Sequence, residues 1–410
     1  MRIRPLVLTA AIAAAFGLIV PTATAALAQP PSGATAPAAV IDRSSRGAVA
    51  HEYRAHYAPA MRVPIGWTGS IAGCRAGTDS AAQAAATQSA INFARRLAGL
   101  SPATLRDSYS AKAQQAALVY AANRALTHSI PSSWKCFTKA AKQAGASSDI
   151  ALGVAGAKAI GAYLGDAGDN NRVAGHRRWI LYPSARVFGS GSTATSNALW
   201  VLGDRAAAGH YRDPAWVAWP SAGYFPSQLE PAGRWSLTSD RYGDDFRAAT
   251  VTVTTATGTV LPVHLEKPVT GYGNATLVWE IRAPVKPASW HTRSITVQVS
   301  NIHRGTTVLG HRYTVRLFNP MALKPATAAT VTGTATVGST LTAVPGRFSP
   351  AATGFGYQWY RGATAIAGAT QATYTPVPED AGQPLKVKVT GMRTHYRVAG
   401  SIALTAVVQP

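Results

Sequence analysis

Residues 174–181, AGHRRWIL, place a histidine between a glycine and two arginines and then continue into an apolar run. The stretch RRWIL at 177–181 predicts a short strand that begins directly after His176. A histidine beside an apolar strand is either a hydrogen-bonded structural residue or a working group in a cleft. Both interpretations stay open until the surrounding sequence shows what else could lie near this imidazole.

The alanine-rich sequence around this stretch, from about residue 80 to 200, predicts helices. Ser80 is a suitable N-cap for the first helix, and Gly99 and Pro102 mark its end. One face of that helix would carry Ala84, Thr87, Ile91, Ala94 and Ala98. Further helices are predicted over about 110–126 and 155–166. Together with strand candidates such as NALWVLG, this pattern indicates an α+β fold with layered helices and strands.

After about residue 205 the sequence alternates apolar and polar residues between glycine and proline turns, as in ATVTVTTATGTVLPVHL at 249–265. This alternation of apolar and polar residues predicts β-strands. We expect a β-sandwich domain over 206–320, a linker over 321–330 and a second all-β domain over 331–410. Trp359 would fill the space between the two sheets of the last domain.

The first residues resemble an export signal. Arg2 and Arg4 precede an apolar run from Leu6 to Val20, and small residues at 26–28 would suit a signal peptidase. We therefore expect a signal peptide over 1–28, a flexible leader rich in Pro, Ala, Ser and Gly over 29–50, and a secreted, extracellular or cell-wall associated protein. No later stretch approaches the roughly 20 apolar residues of a transmembrane helix.

Cys74 and Cys136 are the two cysteines of the chain. In an exported protein a disulfide between them is the expected state. A catalytic thiol is the alternative interpretation.

The chain carries 39 basic and 17 acidic side chains and a formal charge of +22. A basic surface can maintain solubility, or it can attract an anionic cell-wall polymer or a membrane surface. Nucleic acid is a less favoured partner, because the charges are dispersed and do not alternate with aromatic residues.

Three segments in order resemble the CAP superfamily, which includes cysteine-rich secretory proteins, antigen 5 and pathogenesis-related proteins, and within it the bacterial SCP-like branch. They are INFARRLAGL at 91–100, AQQAALVYAANRALTHS at 113–129 and GHRRWIL at 175–181. The resemblance implies a CAP-like α-β-α sandwich over 51–205. Residues 331–410 resemble bacterial immunoglobulin-like modules, through YQWYRG and LKVKVTG. We expect two immunoglobulin-like β-sandwiches after the first domain.

The resemblance also implies a central cleft with two histidines and two acidic residues. By motif the histidines are His128 and His176, and the family implies that such a pair can bind a divalent metal such as zinc. One acid matches Asp166. At the other position the expected Glu-Asn pair is replaced by Ser148 and Asp149.

The expected function is a secreted, non-catalytic protein that binds a small or lipid-like ligand, or a cell-wall component, in this cleft. The alternative is an extracellular hydrolase, a peptidase or esterase, assisted by a metal or by histidine. The serine at 148 favours binding, since a hydrolase needs a proton acceptor in place. A third hypothesis assigns function to the basic surface alone, with the first domain as a scaffold.

Overall fold

The computed structural model describes residues 40–205, 214–287 and 291–410. The predicted signal peptide at 1–28 lies outside the described residues, as does the part of the predicted leader from 29 to 39. The described chain forms a mixed helix-and-strand domain followed by two β-sandwiches, which confirms the predicted fold class.

Within the part of the chain that the structure describes, the α-helices all lie in the first domain. The described ones are α1 (Arg46–Glu52), α2 (Ala58–Ala60), α3 (Ala81–Ala98), α4 (Asp107–Asn123), α5 (Lys139–Ser147), α6 (Ala157–Gly165) and α7 (Gly175–Ile180). Helix α3 has the predicted ends: the Ser80 side chain accepts a hydrogen bond from the Gln83 amide, and Gly99 takes a left-handed conformation after the last turn.

Four strands of this domain form one sheet in the order β1-β3-β4-β2. They are β1 (Thr104–Leu105), β2 (Ser148–Leu152), β3 (Val187–Ser192) and β4 (Ser196–Trp200). Leu199 on β4 belongs to the apolar cluster that contains α3 and α6, whereas its neighbours Ala198 and Trp200 belong to the cluster of α4 and α5. Because side chains alternate across a strand, the sheet lies between two helical layers.

Glycines in β3 let α4 lie very close to the sheet. A Cβ atom on Gly191 would come within 2.1 Å of the Gln114 backbone nitrogen. The FGSGS stretch at 188–192 therefore serves helix–sheet packing.

The AGHRRWIL stretch differs from the prediction, because Gly175–Ile180 is a helix and not a strand. Ala174 takes a left-handed conformation before it, and the Asp166 carboxylate accepts the backbone N–H of Arg177 in its first turn. A carboxylate at a helix N-terminus stabilises that turn. This acceptor comes from another element, so the local apolar pattern could not reveal it.

The predicted leader also differs where the structure describes it. Residues 46–52 form α1, which continues through a π-helical turn, Tyr53–Tyr57, into α2. Ile41 and Val49 are buried in the main apolar cluster. Packing against the domain orders this segment, although its small and polar composition alone does not require order.

The first sandwich contains two sheets, ordered β10-β11-β7-β5 and β6-β13-β12-β8-β9. Its strands are β5 (Trp216–Trp219), β6 (Gly223–Pro226), β7 (Arg234–Ser239), β8 (Thr250–Thr255), β9 (Val260–Leu261), β10 (Val263–Leu265), β11 (Thr276–Ile281), β12 (Arg293–Arg304) and β13 (Thr307–Phe318). Three fully buried tryptophans, Trp219, Trp235 and Trp279, fill its core.

The last domain contains sheets ordered β15-β16-β20 and β19-β18-β21-β22, and a β14-β17 pair. Its strands are β14 (Lys324–Pro325), β15 (Thr330–Thr332), β16 (Leu341–Val344), β17 (Phe348–Ser349), β18 (Gly354–Arg361), β19 (Thr364–Ala365), β20 (Thr373–Tyr374), β21 (Pro384–Met392) and β22 (Ala399–Val407). Trp359 is fully buried in its core, as predicted, and its indole N–H donates to the Gln371 carbonyl.

Cys74 and Cys136 form the predicted disulfide, with their sulfur atoms 2.07 Å apart. Over the ranges that the structure describes, no helix has the length and apolar character needed to cross a bilayer.

Candidate functional site

A cavity of about 750 Å³ opens on the first domain, and the predicted site residues gather around it. His128, Ser148, Asp149 and His176 all contribute to its wall. Most of the remaining wall is apolar and includes Leu126, Ile150, Leu152, Val154, Trp179 and Val201. The fold therefore brings together two histidines that lie 48 residues apart in the chain.

His176 lies in the first turn of α7 and is held by Asp166. Its Nδ1 atom is 2.6 Å from Oδ1 of Asp166, and its ring centroid is 5.2 Å from that of Tyr163. The His176 side chain keeps 21% of its surface exposed, whereas the Asp166 side chain is fully buried. One nitrogen of the ring is therefore committed to the aspartate, and Nε2 is the atom left for a ligand.

Asp166 lies behind the cavity wall and organises it. The residue follows α6 in a left-handed conformation, and its second carboxylate oxygen accepts the Arg177 amide at 3.1 Å. Arg234 of β7 donates to the Asp166 carbonyl. A strand of the neighbouring sandwich thus holds the turn that carries the aspartate.

His128 reaches the cavity from the loop after α4. Its Nδ1 atom lies 2.9 Å from the Gly145 carbonyl oxygen of α5. A neutral imidazole bonded in this way donates from Nδ1 and leaves Nε2 as an acceptor.

Ser148 and Asp149 begin strand β2 and are both buried. The Ser148 hydroxyl and one carboxyl oxygen of Asp149 have no hydrogen-bond partner among the described residues. Burial raises the pKa of Asp149 well above its ordinary value, although the nearby His176 acts in the opposite direction. Burial therefore favours the neutral acid form of Asp149, which is able to donate a hydrogen bond.

Burial and nearby acidic groups act in opposite directions on His176, and together they favour its protonated imidazolium form. Burial alone would lower its pKa, but the hydrogen bond to Asp166, with the charges of Asp149 and Asp166, raises the pKa to about 9. Asp166 is the hydrogen-bonded partner of this imidazole. His176 is thus a cation at neutral pH.

The donor set fits a zinc site only in part. Nδ1 of each histidine is hydrogen-bonded, to the Gly145 carbonyl or to the Asp166 carboxylate, as is common for metal-binding histidines. However, zinc sites use three or four protein ligands, and no group of three or more His, Cys, Asp or Glu side chains near enough to share a metal occurs in residues 40–205, 214–287 and 291–410. The predicted metal stays a prediction.

Arg177 and Arg178 follow His176 in α7. Both are buried. The Arg177 guanidinium donates to the carbonyls of Leu164 and Arg234, and that of Arg178 donates to two carbonyls of a sandwich loop. In the predicted strand, adjacent side chains would point to opposite faces, whereas in the helix both arginine side chains point inward.

Two aromatic residues of the site were not identified from sequence. Tyr163 lies on α6, and its hydroxyl donates to the Asn197 side chain at 2.9 Å. Tyr272 comes from the first sandwich. The apolar periodicity of AGAKAIGAYLGD at 155–166 could have indicated Tyr163 as a core residue, but no local signal connects Tyr272 with the histidines.

Comparisons with known proteins give a family match over one part of the chain. A search of the curated proteins finds no match. Among solved structures, the four N-terminal immunoglobulin domains of Dscam1 isoform 8.4 match at 14% identity and a TM-score of 0.16, with 46% of this chain and 42% of that chain covered.

The immunoglobulin domains 1–5 of Sidekick-1 match at 14% identity and a TM-score of 0.15, with 42% of this chain and 36% of that chain covered. This chain thus spans less than half of either structure, and similarity at these TM-scores carries no argument about function.

The family comparison concerns the segment that holds the cavity. Residues 88–202 match the model of the family described as CAP, cysteine-rich secretory protein family. This range contains both histidines, Ser148, Asp149 and Asp166. Residues 88–202 of the chain therefore form a domain of the CAP family.

Proposed function

We propose that this protein is an extracellular binding protein whose CAP domain takes a small amphipathic ligand into the cavity between His128 and His176. The apolar part of the ligand lies against the aliphatic and aromatic wall. Its polar group, a carboxylate or similar anion, contacts the His176 imidazolium and the acid group of Asp149.

The cavity is the observation that carries this proposal. Ligand sites have volumes of roughly 300–1,000 Å³ and apolar walls with a few convergent polar groups. The cavity has a volume of about 750 Å³ and this composition. Two polar atoms of its wall residues, the Ser148 hydroxyl and one Asp149 oxygen, have no hydrogen-bond partner among the described residues. A ligand could supply that partner.

The alternative is a hydrolase, and the Asp166–His176 pair is the feature that favours it. An aspartate that orients an imidazole is the arrangement of many hydrolytic sites. A general base must, however, be unprotonated at its working pH. With a pKa of about 9, His176 holds its proton at neutral pH. The imidazolium is better suited to attracting an anion than to activating a nucleophile.

Binding of a dansyl-labelled fatty acid to the full chain tests the proposal. Ala162 lines the cavity on α6, so Ala162→Trp should obstruct it with an indole ring and abolish the fluorescence increase. Ala84→Trp, at an exposed position of α3, is the matched control and should bind like the native protein. Absence of binding, or equal binding by both variants, would refute the proposal.

The same samples test the hydrolase. Release of nitrophenol from nitrophenyl esters by the native protein, with loss in His176→Gln and retention in the exposed control His51→Gln, would establish catalysis in place of simple binding.

The net charge of +22 supports a second contact, with an anionic wall polymer or membrane surface. Such adhesion should weaken as salt screens it. Adhesion that is lost in high salt and unchanged in His128→Ala would assign it to the basic surface and not to the cleft.

A further inference from the structure

The wall of the CAP cavity is not made by the CAP domain alone. Gly271 and Tyr272 line it, and both lie between strands β10 and β11 of the first sandwich. The segment Lys267–Asn274, here called the β10–β11 loop, therefore extends from one domain into the binding site of the other.

Arg178 holds this loop against helix α7. Its guanidinium donates to the carbonyl oxygens of Val269 at 3.3 Å and Asn274 at 3.1 Å. The guanidinium carbon lies 5.3 Å from the centre of the Tyr272 ring. The arginine is 3% exposed, so these contacts form in a dry environment where hydrogen bonds to a charged group are strong.

Tyr272 also packs directly on the residue before His176. A Cβ atom on Gly175 would lie 2.8 Å from Cε1 of the tyrosine, so only glycine lets the ring approach this closely. Gly271 and Gly273 flank the tyrosine with φ angles of +91° and +77°, which a residue with a side chain rarely adopts. The loop backbone is therefore shaped to present this ring at the start of α7.

The junction between the two domains is well packed, which fixes the position of the ring. The CAP domain and the first sandwich share one continuous apolar cluster. Arg177 of α7 also donates to the Arg234 carbonyl and the Ser236 hydroxyl of β7. Helix α7 thus carries His176, and its next two residues bind two separate parts of the sandwich.

Tyr272 is 38% exposed although it is held on one side by Gly175 and Arg178. Part of this aromatic surface is open at the cavity that also contains His176.

We infer that Tyr272 is a ligand-contacting residue that determines specificity, and that the cavity prefers amphipathic anions bearing a planar ring over simple aliphatic ones. The inference rests on the proposed binding function. Aromatic stacking adds to the energy of simple burial, so a ring-bearing ligand gains more from this residue than a flexible chain does. The binding site is accordingly a product of two domains.

Calorimetric titration of the full chain with pyrenebutyrate and with dodecanoate tests this inference. Both probes carry a carboxylate, and only the first has a planar ring. The native protein should bind both. Tyr272→Ala should reduce the affinity ratio of pyrenebutyrate to dodecanoate by about three- to tenfold, the range expected for the loss of one aromatic pair.

Tyr272→Phe keeps the ring and should keep the ratio. Tyr242→Ala removes an exposed tyrosine of the same sandwich that does not line this cavity, and should leave both affinities unchanged. Thermal unfolding of each variant checks that the fold is intact.

An unchanged ratio in Tyr272→Ala, together with loss of both probes in Ala162→Trp, would overturn the role of Tyr272 and leave the binding function standing. Failure of both probes to bind the native protein would overturn the binding function and this inference with it.

Discussion

Nδ1 of His176 lies 2.6 Å from Oδ1 of Asp166, whose side chain is completely buried and which also accepts the amide of the next residue, Arg177. The aspartate thereby joins the end of α6 to the start of α7. This single carboxylate sets both the orientation of the imidazole and its charge.

Replacing Asp166 should lower the pKa of His176. Asp166→Asn keeps an oxygen for the Arg177 amide but removes the negative charge, and burial then opposes protonation of the imidazole. We expect the pKa to fall from about 9 to near or below its ordinary value of about 6.5. NMR titration of the ring proton measures it. Asp169→Asn, at an exposed position, is the control, and an unchanged His176 pKa in Asp166→Asn would contradict the assignment.

The His176–Asp166 pair should make stability depend on pH. The folded-state pKa of His176 is raised to about 9, so its contribution is complete below about pH 6.5 and is lost as pH rises through 9. The native protein should lose roughly 2–3 kcal/mol of its free energy of unfolding over this window relative to His176→Gln. Urea unfolding at a series of pH values gives this difference. Parallel pH profiles for the two proteins would show that the pair is not coupled to folding.

A second pH effect should arise at Asp79. Burial raises the pKa of this carboxyl to about 7, although the Ser192 amide donates to it. The folded state thus prefers the neutral acid, and stability should fall as pH rises from about 4 to 7. Asp79→Asn should remove this decline and be the more stable protein at pH 7 and above. The same unfolding series checks it, with the exposed Asp107→Asn as control, and a native-like decline in Asp79→Asn would exclude Asp79 as its source.

Removing the disulfide should destabilise the CAP domain. Cys74 and Cys136 are 62 residues apart, and a loop of that size corresponds to about 4 kcal/mol on the chain-entropy model. The Cys74→Ser/Cys136→Ser protein should unfold at a lower urea concentration, and its free energy of unfolding should be smaller by about this amount. The native protein in excess reductant should behave similarly, and equal stability of oxidised and reduced protein would contradict the expectation.

Zinc titration tests the metal that the resemblance implies at His128 and His176. The described residues offer two imidazoles at the cavity but no group of three candidate ligands, and zinc sites use three or four protein ligands. A metal held by the two histidines should give stoichiometric zinc binding by the native protein and its loss in His128→Ala/His176→Ala. Equal zinc binding by the two proteins in calorimetric titration would exclude the metal site.

Features with local causes were predictable. Ser80 and Gly99 mark the two ends of helix α3, as predicted, because an N-cap and a left-handed turn depend only on the neighbouring backbone. Strand alternation indicated the sandwiches, and the Trp359 core position followed from it. The strand expected at AGHRRWIL is a helix because Asp166 and two buried arginines stabilise it through contacts with distant residues.

The sequence alone predicts an α+β domain followed by all-β domains, with one cysteine pair. It also identifies His128, His176 and Asp166 as candidate site residues. Periodicity, capping and motif order suffice for this because they act over a few residues. Tertiary structure alone decided that the pKa values of His176 and Asp149 are raised, and that Tyr272 of the next domain lines the cavity. Burial and contacts between distant segments determine those properties, and neither is encoded in any short stretch.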